Sequence, residues 1–259
     1  IMNKPIGIFD SGIGGLSILN SLSQTFPKEN FIYLADNKNC PYGKKSSQEI
    51  TALSVKNCNT LIQLDCKMII IACNTATTNS VKHLRKLTSI PIIGIEPGIK
   101  PAINYTKTNN IGILATEKTL ESKLFNSTSK NNLTDGITIH EQIGYGLVNE
   151  IEKGVSGNIL IDKYLKKYAC PMIEKDIDYL VLGCTHYNFL VEKLNKLFSK
   201  NVKIVDTISP VTSHVIKTLE NLKIKNNIMS ENSVSIFYNG NKILSEFTTE
   251  NYEISYLDF

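Results

Sequence analysis

Two cysteines of this chain stand in matching sequence contexts, and both are placed for proton-transfer chemistry. Cys73 follows the apolar run Met68–Ala72, and Cys184 follows the run Tyr179–Gly183. Such runs predict buried strands, and hydrogen-bonding residues follow each cysteine directly. A free thiol has a pKa of about 8.5, which a helix N-terminus or a cationic neighbour lowers, so a strand-end thiol can act as an acid or a base. The pair predicts a site in which two thiols approach one bound molecule from opposite sides.

The two cysteine motifs belong to an internal repeat. A shift of 111 residues superposes the segment Met68–Thr75 on Tyr179–His186, and a shift of 105 residues superposes Ile6–Ser11 on Ile111–Thr116. Two pairs of similar segments at nearly equal shifts indicate a duplicated α/β unit. We predict a first domain built from residues 1–98 and 207–259, and a second domain built from residues 99–206.

The elements that position these residues alternate between strand and helix along the whole chain, which is typical of α/β units with a mainly parallel sheet. The predicted strands are Ile6–Phe9, Phe31–Ala35, Met68–Ala72, Ile92–Ile95, Ile111–Leu114, Ile137–His140, Tyr179–Gly183 and Val202–Val205. The predicted helices include Leu16–Leu22, Ser47–Leu64, Asn79–Leu87, Ile159–Ile173 and Phe189–Phe198. Val234–Tyr238 and Tyr252–Leu257 are strand-like and stay unassigned. We expect two similar domains, each a sheet flanked by helices. Ligands of such folds bind beyond the carboxyl ends of the strands, so two domains that face each other would have the active site between them.

Composition narrows the class of protein. The chain has 259 residues, a formal charge of +4 and 42% apolar residues, without a clustered basic face that would indicate a nucleic-acid binder. Its longest apolar run, Met68–Cys73, is far too short to span a bilayer. Six cysteines without a CxxC pair indicate neither a disulfide framework nor a zinc site, and therefore predict a cytoplasmic protein with free thiols. Arg85 is the one arginine, so a carboxylate ligand would be met mainly by hydroxyl and N–H groups.

Four motifs together resemble the cofactor-independent aspartate/glutamate racemase family, in that family's order and spacing, from about Ile6 to Pro210. They are Gly7–Gly15, Pro41–Gly43, Ala72–Ala76 and Leu182–Tyr187. The aspartate racemases usually carry an acidic residue where His186 stands, which points to the glutamate racemases within the family. The chain departs from the family at Asn188, where proline is common, and over residues 143–146.

The resemblance implies an activity and a set of site residues. Cys73 and Cys184 would be the two acid/base residues, with Cys73 acting on D-glutamate and Cys184 on L-glutamate. The residues that would line the substrate site are Asp10, Ser11, Tyr42, Gly43, Asn74, Thr75, Thr185 and His186. By position, Thr116 and Thr119 would help to hold the substrate, and Glu152 would be an acid near the second thiol.

The resemblance also has implications for cofactors, substrate and partners. No metal, pyridoxal phosphate or flavin is expected, and the partner is a small molecule, glutamate, with neither nucleic acid nor a membrane. A homodimer stays open. The D-glutamate formed would supply peptidoglycan synthesis in a bacterial cytoplasm.

Three alternatives remain at this stage. The first is a racemase of aspartate or another amino acid in the same family. A Cys–His nucleophile, with Cys184 attacking an acyl group, predicts a covalent intermediate and leaves Cys73 without a role. A non-catalytic two-domain amino-acid binder would keep its affinity after loss of either thiol.

Overall fold

The computed structural model describes residues 2–132, 136–198, 201–226 and 232–259, and of residues 128–132 it describes the backbone alone. The strands are β1 Ile6–Asp10, β2 Phe31–Ala35, β3 Met68–Ile71, β4 Ile92–Gly94, β5 Asn110–Ala115, β6 Thr138–Ile143, β7 Tyr179–Gly183, β8 Lys203–Val205, β9 Val234–Tyr238 and β10 Glu253–Tyr256. The α-helices are α1 Leu16–Thr25, α2 Ser47–Gln63, α3 Asn74–Leu87, α4 Ile99–Tyr105, α5 Glu117–Leu120, α6 Lys123–Asn132, α7 Leu147–Glu152, α8 Ile159–Ile173, α9 Val191–Leu197 and α10 Ile208–Asn221. Short 3-10 helices cover Asn37–Asn39, Tyr42–Lys44, Thr185–Leu190 and Ser245–Phe247.

The strands form two sheets whose topology repeats. The first sheet has the order β10-β9-β2-β1-β3-β4 and the second has the order β6-β5-β7-β8, with parallel pairing throughout. The inner order β2-β1-β3-β4 thus recurs as β6-β5-β7-β8. Ile6 pairs with Met68 in one sheet, and Ile111 pairs with Tyr179 in the other, which are the residues related by the two sequence shifts. The predicted fold class of two similar, helix-flanked parallel sheets is confirmed.

The first sheet is covered on both faces, which explains its continuous apolar strands. Every residue of β1 and β3 is buried. Successive residues point to opposite faces, so Ile8 joins one core cluster with α1 while Phe9 joins another with α2. Burial on both faces is typical of parallel sheets, whose crossover helices lie on either side. In the part of the chain that the structure describes, no helix is long and apolar enough to cross a membrane.

The structure differs from the sequence prediction mainly in the two segments that follow Cys73 and Cys184. Helix α3 begins at Asn74 rather than Asn79, because the Cys73 sulfur caps it by accepting the N–H of Ala76 at 3.4 Å. The polar, β-branched residues of that first turn have low helix propensity, which hid the helix in the sequence. After Cys184 the chain forms a 3-10 helix, and α9 begins only at Val191. The predicted strands agree with the observed ones to within one residue at each end, except that β6 runs three residues further, to Ile143.

A buried ion pair lies beside the first sheet and joins residues that are far apart in the sequence. It leads to a prediction about stability. Lys67 Nζ lies 2.6 Å from Glu29 Oε2, and their side chains are 0% and 2% exposed. We expect Glu29→Ala to lower the free energy of unfolding by about 3–5 kcal/mol, because the buried Lys67 ammonium keeps two carbonyl partners but loses its carboxylate. The control is Lys4→Ala, which removes the exposed pair Lys4–Asp65 and should cost less than about 1 kcal/mol. If urea unfolding gives equal losses of unfolding free energy for Glu29→Ala and Lys4→Ala, the buried pair does not stabilise the fold more than an exposed one.

Candidate active site

The predicted site residues converge on one small cavity at the carboxyl ends of β1, β3, β5 and β7. Those that line it are Ser11, Tyr42, Gly43, Cys73, Asn74, Thr75, Thr116, Cys184, Thr185 and His186. The remaining three, Asp10, Thr119 and Glu152, stand directly behind and hydrogen-bond to the lining residues. The cavity has a volume of about 10 Å³, which is room for about one water molecule. An amino acid can therefore enter only if its walls move apart.

Cys73 stands at the end of a hydrogen-bonded chain that leads to Asp10. Its sulfur lies 3.8 Å from the hydroxyl of Ser11, which in turn donates to Asp10 Oδ1 at 3.2 Å. Burial raises the pKa of the Cys73 thiol above its ordinary range, the charge of Asp10 adds to the rise, and the N–H of Ala76 opposes it. In this closed arrangement Cys73 is a protonated thiol at neutral pH.

Cys184 has a different chain, which runs through an imidazole to Glu152. The sulfur lies 3.9 Å from His186 Nδ1, and His186 Nε2 lies 2.6 Å from Glu152 Oε1. Burial alone would lower the pKa of His186, but its hydrogen bonds with Cys184, Cys40 and Glu152 raise that pKa well above the ordinary value. The imidazole is therefore protonated at neutral pH, with both ring nitrogens able to donate. Each thiol is thus joined through one side chain to a carboxylate, Asp10 for one and Glu152 for the other.

Hydroxyl groups join the two halves of the site. Thr185 donates to Asp10 Oδ2 at 2.9 Å, although its backbone belongs to the second sheet and Asp10 to the first. On the other side of the cavity, the hydroxyl of Thr75 lies 2.9 Å from that of Thr116, which lies 3.0 Å from that of Thr119. Burial also raises the pKa of Asp10, an effect that its contacts with His186, Gly12 and Thr185 oppose. These groups offer donors and acceptors for a polar ligand from both sides.

Two glycines allow this close approach. A Cβ on Gly12 would lie 2.0 Å from Glu152 Oε1, and a Cβ on Gly14 would lie 2.4 Å from His186 Nδ1. Neither position leaves space for a side chain. The glycine-rich segment after β1 therefore serves to seat Glu152 and His186 against the first half of the molecule.

Asn74 has an unusual environment for a buried amide. The residue is 1% exposed, and neither Oδ1 nor Nδ2 has a hydrogen-bond partner among the described residues. An unsatisfied buried amide costs about 1–3 kcal/mol. Asn74 lines the cavity, so the unused donor and acceptor are available to a bound molecule.

Tyr42 lines the cavity but its hydroxyl is engaged inside the protein. It donates to Asp36 Oδ2 and accepts from Asn57 Nδ2 at 3.0 Å. Sequence reasoning missed these two partners. Asp36 directly follows β2, so the strand-end rule that found Cys73 also applied to it. Nothing in the spacing of Asn57, in the middle of α2, marks it as part of the site.

Arg85 lies away from the cavity, as expected from its distance along α3. Its Nε and Nη2 donate to the carbonyl oxygen of Ile92 at 3.2 and 3.1 Å. The one arginine of the chain is thereby used in joining α3 to β4. Carboxylate groups of a ligand must be met by the hydroxyl, amide and N–H groups described above.

Comparison with known proteins relates this site to characterised enzymes. The glutamate racemase of Ralstonia pickettii is 40% identical over 215 residues, which cover 83% of this chain and 76% of that protein. The structure of glutamate racemase isoform RacE1 from Bacillus anthracis matches with a TM-score of 0.89 at 27% identity, covering 100% of this chain and 98% of that chain. Glutamate racemase from Francisella tularensis, solved in complex with D-glutamate, matches with a TM-score of 0.84 at 29% identity, over 99% and 98% of the two chains.

A family model reaches the same part of the molecule. The model described as Asp/Glu/Hydantoin racemase matches residues 6–215, which contain β1 to β8 and both strand-end thiols. The match covers the whole repeat and every residue that lines the cavity. With two buried thiols at equivalent strand ends and a match over most of its length, the chain belongs to the Asp/Glu/Hydantoin racemase family.

Proposed function

We propose that this chain interconverts L-glutamate and D-glutamate with two thiol acid/base residues, Cys73 and Cys184. The observation that carries the proposal is that both thiols are buried at equivalent strand ends of the repeat and line one cavity. Inversion of an α-carbon needs a base on one face and an acid on the other. The relatives named glutamate racemase support glutamate as the substrate.

We assign the direction of the proton transfers as the family resemblance implies it. With L-glutamate, the Cys184 thiolate takes the α-proton, and the Cys73 thiol gives its proton to the opposite face of the carbanion. The product is D-glutamate, with Cys184 now protonated and Cys73 a thiolate. The reverse reaction uses the same groups with their roles exchanged. His186 can give its Nε2 proton to Glu152 and then take the proton of Cys184, and the Ser11–Asp10 chain can deliver a proton to Cys73, so both sulfurs return to their starting states.

The carbanion is the costly species, and fixed donors aimed at the substrate are the means to stabilise it. We assign that task to the Asn74 amide and to the hydroxyls of Thr75, Thr116 and Thr185. Asn74 is the strongest candidate, since its amide has no partner within the described residues. The wall of the cavity is completed by Ser11, Tyr42 and Gly43, and Thr119 stands behind Thr116.

Asn74→Ala should separate function from stability. We expect kcat/KM to fall by about 10²-fold, because one donor to the developing charge is lost. The free energy of unfolding should stay the same or rise, because an unsatisfied buried amide is removed. Both are measured by racemisation kinetics and urea unfolding of the same preparations.

Asn239→Ala is the matched control for that variant. Asn239 is equally buried, but its amide donates to Asp36 at 2.7 Å and accepts from the N–H of Lys38 at 3.1 Å. Its loss should lower the free energy of unfolding by about 1–3 kcal/mol. A stability loss of that size in Asn74→Ala would contradict the assignment of Asn74 to the substrate.

The activity itself is tested with L-glutamate and, separately, L-aspartate. We expect formation of D-glutamate, followed by chiral separation, at a rate well above that of D-aspartate formation. Dialysis against a chelator, with no pyridoxal phosphate added, should leave the activity in place. A preference for aspartate would reassign the substrate, and a loss of activity restored by pyridoxal phosphate or a metal would overturn the cofactor-independent mechanism.

Three further assignments belong to this proposal. Residues 1–98 with 207–259 and residues 99–206 form the two domains, supported by the division of the strands between the sheets. The enzyme works in the cytoplasm, which six free cysteines support. It supplies D-glutamate for peptidoglycan, which the relatives named glutamate racemase support. A homodimer is the assembly to test by sedimentation of the full chain.

A further inference from the structure

Behind the substrate cavity, three potential metal ligands from separate parts of the chain come together. They are Cys40, Glu152 and His186, and one ligand atom from each lies within 4.8 Å of the others. The Cys40 sulfur is 3.6 Å from Glu152 Oε1, which is 2.6 Å from His186 Nε2. We propose that these three residues form a Zn²⁺ site whose occupation inhibits the enzyme.

The donor set fits zinc better than the common hard cations. A thiolate, an imidazole and a carboxylate are the ligands that Zn²⁺ takes in proteins, whereas Mg²⁺ and Ca²⁺ take oxygen alone. Burial raises the pKa of the Cys40 thiol to about 12, so without metal Cys40 is a neutral thiol. On binding, the proton of Cys40 and one proton of His186 pass to solvent, which leaves a thiolate and a neutral imidazole on the ion.

The geometry needs an adjustment of about 1 Å, because the three ligand atoms lie within 4.8 Å of one another and a tetrahedral zinc site needs less than about 4 Å. Zinc bonds of about 2.0–2.3 Å in a tetrahedral site place neighbouring ligand atoms about 3.3–3.8 Å apart. The sulfur–oxygen separation is already in that range, and the oxygen–nitrogen separation must widen by less than about 1 Å. Glu152 can move, since it ends α7 and its side chain is 19% exposed. The N–H of Ile13, which donates to Glu152 at 2.9 Å, provides an outer partner that orients the carboxylate.

A second cleft gives access from outside. It has a volume of about 230 Å³, and Cys40 and Glu152 are among the residues that line it, together with Asn37 and Asn241. His186 faces the substrate cavity on the other side of the cluster. An ion can therefore arrive through this cleft without passing the catalytic thiols, and the cleft has space for a water molecule as the fourth ligand.

The expected consequence rests on the proposed function. A metal-bound His186 has lost the proton on Nε2 and its bond with Glu152, so it can no longer exchange protons with Cys184. Zinc binding as such does not depend on that function. The two parts are therefore tested by separate measurements on the same protein.

Binding is tested with Co²⁺ as the spectroscopic probe for zinc, on the full chain. We expect an absorption band of thiolate-to-Co²⁺ charge transfer that one equivalent of Zn²⁺ abolishes. The band should be lost in Cys40→Ala and Cys40→Ser and retained in Cys170→Ala, which removes an exposed thiol. It should also be retained in the double variant Cys73→Ser/Cys184→Ser. A band that survives in both Cys40 variants, that disappears in the double variant, or that never forms would overturn the proposed site.

Inhibition is tested with buffered free Zn²⁺, each variant compared with its own metal-free rate. Cys40→Ala should need more than about tenfold higher free Zn²⁺ for half-inhibition than the wild-type chain. Loss of a residue that only hydrogen-bonds to a metal ligand already lowers metal affinity by about 10–100-fold, and Cys40 would be a ligand itself. Cys170→Ala should behave as wild type. Equal sensitivity in Cys40→Ala and wild type would place inhibition at the catalytic thiols instead. Absence of racemase activity with the Co²⁺ band present would count against the proposed function alone.

Discussion

Replacing Cys73 or Cys184 by serine is expected to lower kcat for racemisation by about 10³-fold or more, in a protein that still folds. General acid–base catalysis contributes about 10²–10⁴-fold, and a serine hydroxyl is far too weak an acid to take over from a thiol at neutral pH. Serine is close in size to cysteine, and both positions border the cavity, although each also packs against a hydrophobic core cluster. The measurement is kcat in both directions for each variant, with circular dichroism to confirm folding.

Cys170→Ser is the matched control, because Cys170 is exposed on α8 and has no contact with the cavity. Its kcat should equal that of the wild-type chain. The two-thiol mechanism fails if either Cys73→Ser or Cys184→Ser keeps a kcat near wild type. A single active thiol would instead favour the Cys–His nucleophile, which leaves Cys73 without a role.

The second large effect is expected from the two proton partners, and it should differ between them. His186→Gln removes the imidazole next to Cys184, and Asp10→Asn removes the carboxylate that reaches Cys73 through Ser11. We expect each change to lower kcat/KM by about 10²-fold. The fall must be equal in both directions, because the equilibrium between the enantiomers is fixed. The difference therefore appears in kcat and KM separately and in the isotope effects.

Substrates deuterated at the α-carbon show which proton removal has become slow. For His186→Gln, the isotope effect should rise more with L-glutamate, whose proton Cys184 removes. For Asp10→Asn, it should rise more with D-glutamate, although the bond from Thr185 to Asp10 carries part of this effect to the other half of the site.

His140→Gln is the control for these two variants, since His140 lies on β6 and bonds to Asn110. Neither rate nor isotope effect should change. If His186→Gln and Asp10→Asn give one pattern in both directions, the pairing of partners with thiols is wrong, even if both thiols are needed.

The repeat is what made the fold predictable from sequence. Matching strand ends at two nearly equal shifts place Cys73 and Cys184 equivalently, and parallel pairing then brings their loops to one side of each sheet. The same rule gathered most of the predicted site residues around one cavity. Their roles in catalysis stay predictions.

What the sequence did not reveal depends on contacts between distant segments. The start of α3 at Asn74 depends on a sulfur acting as a helix cap, which propensity does not register. Asn188, where the family often has proline, is used to join Ser17 and Thr207 through its side-chain amide, both at 3.0 Å. Neither partner is near it in the sequence.

The cluster of Cys40, Glu152 and His186 shows the same limit more clearly. Close cysteine spacing indicates only ligands that share one segment, so it gives no sign of such a cluster. The three proposed ligands come from a 3-10 turn region, from the end of α7 and from the segment after β7. Only the folded chain brings them within reach of one ion.

The central claim is that two different thiols remove and return the α-proton, and solvent labelling tests it most directly. L-glutamate is incubated with the wild-type chain in D2O, and both enantiomers are analysed early in the reaction by chiral separation and mass spectrometry. The mechanism predicts D-glutamate that carries deuterium at the α-carbon, because its new proton comes from the solvent-exchanged thiol, while recovered L-glutamate keeps its hydrogen. D-glutamate that retains the original hydrogen, or no D-glutamate at all, would contradict it.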